Sequence, residues 1–195
     1  MVSVRRMIMA AVACAMLVGL LVVVRGAYAK RQAGRLIEAI EQIPLAMPEN
    51  EAMTVMAKFS GYRGEYSLQP NMSALTGVTY GVSMPILNRI GIYPDTLLIC
   101  TIEFRNGVVV SKRTSYFTGP VHVAIIEGED DDVPHPLSAP YEAKSNGTPY
   151  ALRVYLGQTA NDRERQMAYD IRLQCFLMSS GCSQAQEVVP IAVTD

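Results

Sequence analysis

Residues 96–116, TLLICTIEFRNGVVVSKRTSY, decide the fold of this 195-residue chain. Two runs rich in β-branched and aromatic residues flank an Arg-Asn-Gly turn at residues 105–107. Asn-Gly accepts the positive φ angles of a tight turn, so the pattern predicts a β-hairpin. Residues 121–126 and 150–156 have a similar composition and predict two further strands. We therefore expect a central antiparallel or mixed sheet of at least four strands.

Helices are predicted on the amino-terminal side of this sheet. Residues 30–43 place Leu36, Ile37 and Ile40 at spacings that line one face, which is typical of an amphipathic helix. A proline follows directly and ends it, because proline has no amide hydrogen to donate. A second, short helix is predicted over residues 50–59.

The last helix is predicted at residues 159–178. Asn161 is followed three residues later by Glu164, the spacing at which two side chains satisfy free backbone amides at a helix start. Cys175 lies near the predicted end, and Cys182 follows a Ser-Ser-Gly stop that is able to turn the chain back as a disulfide clip. Early and late helices around a strand-rich middle predict an α+β protein.

An apolar segment from Met7 to Val24 has no charge over eighteen residues. A helix of that length reaches about 27 Å, close to the ~30 Å hydrocarbon core of a bilayer. Arg5 and Arg6 precede it and Arg25 follows. We interpret it as a retained single-pass anchor in the cell membrane, with the lipid bilayer as its partner.

The same segment also fits a secretory signal. Arg5 and Arg6 supply the positive start, and the small residues Ala27 and Ala29 occupy cleavage-site positions. Signal cores usually span ~7–15 apolar residues, and this one is longer. The retained anchor is therefore the preferred interpretation, and secretion after cleavage following Ala29 is the alternative.

Two features bear on the side of the membrane that the domain occupies. More basic residues follow the apolar segment than precede it, which favours a cytoplasmic domain, although long domains cross largely regardless of charge. A disulfide between Cys175 and Cys182 is useful only in an oxidising compartment. We therefore predict an extracytoplasmic domain.

Charge is divided unevenly along the chain. Six of its 17 basic residues lie at or before Arg35, whereas all 18 acidic residues lie beyond it. We name Arg25, Lys30, Arg31 and Arg35 the basic collar. It suits anionic lipid headgroups, and ordinary interfacial anchoring explains it more simply than specific lipid recognition. The acidic remainder repels a phosphate backbone, so nucleic acid is not expected as a partner.

One acidic stretch is a weak candidate for a metal site. Glu129, Asp130, Asp131, Asp132 and His135 carry groups that suit a hard cation. The alternating ligand positions and the placed glycine of a calcium loop are missing. A solvated loop is therefore the preferred interpretation, and no metal site is predicted.

His122 is the other candidate for chemistry, as a general base between Val121 and Val123 on a predicted strand. A lone histidine on a strand is usually structural. The sequence contains no Gly-x-Ser-x-Gly elbow, no phosphate-binding Gly-rich loop with a lysine and no Cys-x-x-Cys pair. No cofactor is predicted.

Three regions follow from these features. Residues 1–28 form the membrane anchor or signal segment, 29–48 a juxtamembrane amphipathic helix, and 49–195 a single globular α+β domain. A span joined to an amphipathic helix, without a convergent catalytic set, favours a structural or protein-binding role that contacts another envelope protein.

Two alternatives remain open at the level of sequence. One is an anchored or secreted enzyme with an unrecognised site near His122, His135 and the acidic stretch. The other is a pilin-like subunit, which the chain resembles in outline through its span, amphipathic helix, sheet and late cysteine pair. The pilin leader that ends in Gly before Phe is missing here.

Overall fold

A computed structural model describes residues 4–67, 75–83, 96–128, 141–145, 149–157, 160–177 and 182–189. Its helices are α1 (Val4–Glu41), α2 (Glu49–Met56), α3 (Asp162–Tyr169) and α4 (Ala185–Val188), with 3₁₀ segments at Ala57–Tyr62 and Leu173–Leu177. Its strands are β1 (Arg63–Ser67), β2 (Leu75–Ser83), β3 (Thr96–Arg105), β4 (Val108–Thr118), β5 (Val121–Gly128), β6 (Tyr141–Ser145) and β7 (Ala151–Leu156).

The described strands form one mixed sheet of seven, in the order β1-β2-β3-β4-β5-β7-β6. Every neighbouring pair is antiparallel except β5 and β7, which are parallel. A parallel pair needs a longer connection than a hairpin, and here the chain passes through β6 between β5 and β7. The α+β class and the mixed sheet of at least four strands are confirmed.

The predicted hairpin is the β3–β4 pair. Asn106 and Gly107 have φ angles of 55° and 75°, the left-handed conformation that a primed turn requires at both central positions. Just before this turn, the strand register shifts between Glu103 and Phe104, where the β3–β4 ladder has a bulge or irregularity. The local Asn-Gly signal therefore sets the turn on which the longest strand pair of the sheet depends.

Helix α1 joins the predicted apolar segment and the predicted amphipathic helix into one helix of 38 residues. Within the described ranges it is the one helix long and apolar enough to cross a membrane, with a mean hydropathy of 2.9 over a window in which no residue is buried. Burial begins at Val22 and Gly26 and continues along Ala29 and Ala33 towards Ile40. Alternate steps of four and three residues place this stripe on one face, which packs on the domain.

The last predicted helix is shorter than residues 159–178. The capping box is confirmed, since Asn161 Oδ1 accepts from the Glu164 amide at 3.0 Å and Glu164 Oε2 accepts from the Asn161 amide at 2.8 Å. However, α3 ends at Tyr169, and the chain continues as the 3₁₀ segment Leu173–Leu177. The Arg172 amide donates to the Val188 carbonyl at 2.7 Å, a long-range bond that a continuous helix would not allow.

The sheet has two distinct faces. Its inner face carries Leu98, Cys100, Tyr116 and Ile125, which belong to one large core together with the buried residues of the described helices. Its outer face carries a small separate cluster, which consists of Ala124, Ile126 and Tyr155. The described helices therefore lie against the inner face.

Gly128, at the end of β5, is predicted to be intolerant of a side chain. Its φ is +100°, and an added Cβ would lie 2.2 Å from the Val110 carbonyl oxygen. We expect Gly128→Ala to lower the free energy of unfolding by about 2–4 kcal/mol, because it adds a clash to backbone strain. Thermal unfolding of the full-length protein in detergent measures the change.

Gly61→Ala is the matched control, since a Cβ there meets no atom within 4 Å. We expect its midpoint to stay close to that of the unchanged protein. Equal midpoints for the two variants would contradict the strain assigned to Gly128.

Candidate functional site

A buried ion pair lies on the inner face of the sheet. Lys112 of β4 and Glu127 of β5 are directly opposite each other in the strand register. Their side chains are 1% and 0% exposed, and Lys112 Nζ lies 2.8 Å from Glu127 Oε2. Charges taken out of water in this way are costly unless each is paired and hydrogen-bonded, so the surroundings of the pair decide its role.

Lys112 also contacts the end of α1. Its ammonium donates to the Ile40 carbonyl at 3.2 Å and to the Ile43 carbonyl at 2.5 Å. The last carbonyls of a helix have no partner within the helix, and they form the negative end of its dipole. Ile40 lies in the last turn of α1 and Ile43 two residues beyond its end, and the Ile40 carbonyl also accepts from the Ile43 amide at 3.1 Å. Lys112 is therefore a second donor to Ile40 and a buried donor to Ile43, and its charge lies at the negative end of the helix.

Helix α3 completes the cluster from the other side. Arg165 forms a second ion pair with Glu127, through its Nη1 and the Oε1 atom. The Tyr169 hydroxyl donates to Glu127 Oε2 at 3.5 Å, and Arg165 Nε donates to the Ala160 carbonyl at 3.3 Å. We name Lys112, Glu127, Arg165 and Tyr169 the buried ionic cluster.

Burial dominates the protonation of this cluster. It lowers the pKa of Lys112 below the usual lysine value, Arg165 adds to the decrease, and Glu41 opposes it. It also raises the pKa of Tyr169, which keeps the hydroxyl protonated and able to donate. A perturbed lysine in a cleft would be a candidate for catalysis, but structural ion-pair networks perturb pKa values as well. Here the ammonium is fully occupied by a carboxylate and two carbonyls, which indicates a structural role.

His122, the sequence-based candidate for a general base, lies on the outer face of the sheet. Its ring stacks on Phe117 at 4.2 Å between centroids, with the planes 8° apart. Burial, followed by the charges of Arg153 and Arg113, lowers its pKa and favours the neutral imidazole. The sheet separates it from the buried ionic cluster, so the structure does not bring the two together.

The acidic stretch lies outside the described residues, and so does His135. Glu129, Asp130, Asp131 and Asp132 belong to the same gap. Within the ranges that the structure describes, no group of three or more His, Cys, Asp or Glu side chains is placed to hold a metal ion. The predicted weak metal candidates therefore receive no structural test.

The four cysteines fall into distinct surroundings. Cys175 and Cys182 lie at disulfide distance, with 5.4 Å between their Cα atoms, as their spacing predicts. Cys100 is buried on the inner face, where burial raises its pKa to about 12, so it is not a reactive thiolate at neutral pH. Cys14 is exposed on the projecting half of α1.

Comparison of the chain with protein-family models, with curated proteins and with solved structures finds no match in any of the three. The function is therefore argued from the geometry of this chain.

Sequence reasoning missed the buried ionic cluster. One signal was available in the period of two residues along each strand. Lys112 lies on the same face of its strand as Thr114 and Tyr116, which point into the core. Glu127 likewise shares the core-facing side of its strand with Val123 and Ile125. A charged residue in phase with buried positions indicates either a buried pair or a strand end. Strand register was needed to show that the two charges meet.

From the contacts of the buried ionic cluster we predict which of its variants is the less stable. Glu127→Gln removes the carboxylate that contacts both Lys112 and Arg165, and we expect it to lower the free energy of unfolding by about 3–5 kcal/mol. Lys112→Met leaves Glu127 paired with Arg165 and the Ile40 carbonyl bonded to the Ile43 amide, and it removes the lysine donor from the Ile43 carbonyl, so we expect a decrease of about 1–3 kcal/mol. Thermal unfolding in detergent compares the variants.

Arg163→Gln, at an exposed position of the same helix α3, is the control and is expected to change stability by less than about 0.5 kcal/mol. If Glu127→Gln proved no more destabilising than Arg163→Gln, the cluster would not hold the end of α1.

Proposed function

We propose that this chain is a single-pass membrane protein with an extracytoplasmic domain that contacts another envelope protein, in a structural or binding role. The observation that supports this most is the continuity of α1. No residue from Arg6 to Val24 of its apolar amino half is buried, and one face of its carboxyl half packs on the domain, where Lys112 binds carbonyls at the helix end. Such a helix holds the domain at a set distance from the bilayer.

The cysteine pair supports the extracytoplasmic side. Cys175 and Cys182 are both buried, at 0% and 2% exposure, and lie at disulfide distance. A disulfide persists in an oxidising compartment and is rare where thiols are kept reduced. The basic collar favours the opposite orientation, but it counts less because domains of this length cross regardless of local charge.

The outer face of the sheet supports a binding role. Leu97, Phe117 and His122 are directly opposite one another on three adjacent strands, and each is partly exposed. The lowered pKa of His122 keeps this row uncharged near neutral pH. Apolar and aromatic side chains gathered on one face are typical of protein contact surfaces.

Thiol counting tests the compartment. Alkylation of the protein, unfolded without a reductant directly from membranes, is expected to modify two of its four cysteines, and all four after reduction. Intact-mass spectrometry gives the count. Four modified cysteines without a reductant would contradict an oxidising location.

A single added cysteine reports orientation in the same cells. Ser60 is exposed on the domain, and Ser60→Cys is expected to react with a membrane-impermeant maleimide added outside intact cells. Cys100 is the internal control, since its burial should prevent reaction until the protein unfolds. Labelling of Ser60→Cys only after lysis would place the domain in the cytoplasm.

Site-specific cross-linking tests the binding role. A photoreactive residue at Phe117, on the outer face, is expected to capture one reproducible envelope protein from gently solubilised membranes. The same residue at Glu51, exposed on α2, is expected to capture none. Capture of a second copy of this chain alone would favour the pilin-like alternative, and no reproducible product would count against binding through this face.

A further inference from the structure

A groove of about 620 Å³ runs along α1 next to the 3₁₀ segment Leu173–Leu177. Ala27 and Gly34 of α1 face Leu173 and Leu177 across it. A Cβ on Gly34 would lie 3.7 Å from Leu173 Cδ1, so the missing side chain leaves space between the two segments. Cys175 belongs to the same 3₁₀ segment, and its link to Cys182 holds that wall in place.

Positive charge dominates the rim of this groove. Lys30, Arg31 and Arg35 line it, and Glu38 is the one acidic residue among its lining. Three of the four members of the basic collar therefore share one concave surface. A concave surface with two net positive charges attracts an anion more strongly than charges spread around an exposed helix.

The end of the groove at Ala27 lies at the height of lipid headgroups when the apolar half of α1 spans a bilayer, and the long basic side chains beyond it point back towards that level, because side chains on a helix tilt towards its amino terminus. Ala27 and Arg31 come three and seven residues after Val24, which ends the apolar run. At 1.5 Å per residue they lie about 5 and 11 Å beyond it along the axis. A bilayer adds roughly 5–8 Å of headgroup region on each side of its hydrocarbon core. Leu177, 43% exposed, lines the same groove and offers an apolar surface there.

We propose that this groove binds the headgroup of one anionic phospholipid. The phosphate oxygens accept hydrogen bonds from Lys30, Arg31 and Arg35, and the glycerol region packs on Leu177. The proposal rests on membrane insertion of α1, which the proposed function requires. It goes beyond interfacial anchoring, because anchoring needs only exposed charges, whereas a groove also selects the shape of its ligand.

Lipid retention tests whether the basic residues of the groove bind the headgroup. Full-length protein is reconstituted into nanodiscs of phosphatidylcholine and phosphatidylglycerol, then released and examined by native mass spectrometry. We expect one phosphatidylglycerol to be retained in preference to phosphatidylcholine. Lys30→Gln and Arg31→Gln are each expected to weaken that retention about fivefold, the effect of one basic residue near a charged surface. The double variant Arg5→Gln/Arg6→Gln, before the apolar segment, is expected to retain the lipid.

A variant that keeps every charge tests the groove itself. Gly34→Leu fills it, whereas Gly19→Leu adds the same side chain on the exposed apolar half, where a Cβ meets no atom within 4 Å. Selective retention should be lost in Gly34→Leu and kept in Gly19→Leu. Leu177→Glu, at an exposed position, is a second test that leaves α1 unchanged: it places a negative charge on the apolar wall and is expected to repel the lipid. Full retention in Gly34→Leu and Leu177→Glu would overturn the proposal.

Three further outcomes are distinguishable. A protein that does not enter the nanodiscs would overturn the membrane function, and with it the groove assignment. A protein that enters but retains both lipids equally would overturn the groove assignment alone. Release of the lipid by added inorganic phosphate would show that the groove takes free phosphate, which would also overturn the assignment to a phospholipid.

Discussion

The structure depends on the contact between the Lys112 ammonium and the last carbonyls of α1. Ile40 and Ile43 are both fully buried; the Ile40 carbonyl accepts from the Ile43 amide at 3.1 Å as well as from Lys112, and the Ile43 carbonyl accepts from Lys112. A buried lysine needs a counter-charge, which Glu127 supplies from the neighbouring strand. Glu127 in turn pairs with Arg165 of α3. One helix end thus determines the positions of two strands and a second helix.

Small residues set how far the domain extends along α1. Gly26, Ala29 and Ala33 occupy the buried stripe between the apolar half and the large side chains near Ile40. With little side chain to separate them, the helix and the domain approach closely near the predicted bilayer surface. The basic collar and the Leu173–Leu177 segment consequently lie side by side, which forms the groove.

Local signals made much of the fold predictable. The Asn106-Gly107 turn, the capping box at Asn161 and the apolar length of α1 each depend on neighbours in sequence, and each is present in the structure. The extent of the last helix was wrong, because the Arg172–Val188 hydrogen bond joins segments that local pattern does not connect.

The candidate sites were less predictable for the same reason. Lys112 and Glu127 meet through strand register, and Lys30 and Leu177 line one groove through tertiary packing, so neither arrangement is encoded in a spacing along the chain. The Cys175 and Cys182 pairing was predictable because only a short loop separates the two sulfurs.

The unbroken course of α1 has a mechanical consequence. Its 38 residues measure about 57 Å, and roughly the last 24 Å are embedded in the domain. Because no hinge separates the two halves, any tilt of the apolar half is passed to the domain as an equal rotation. A thinner bilayer favours a more inclined helix. With α1 spanning the bilayer as proposed, local bilayer thickness would therefore set how strongly the sheet is inclined to the lipid surface.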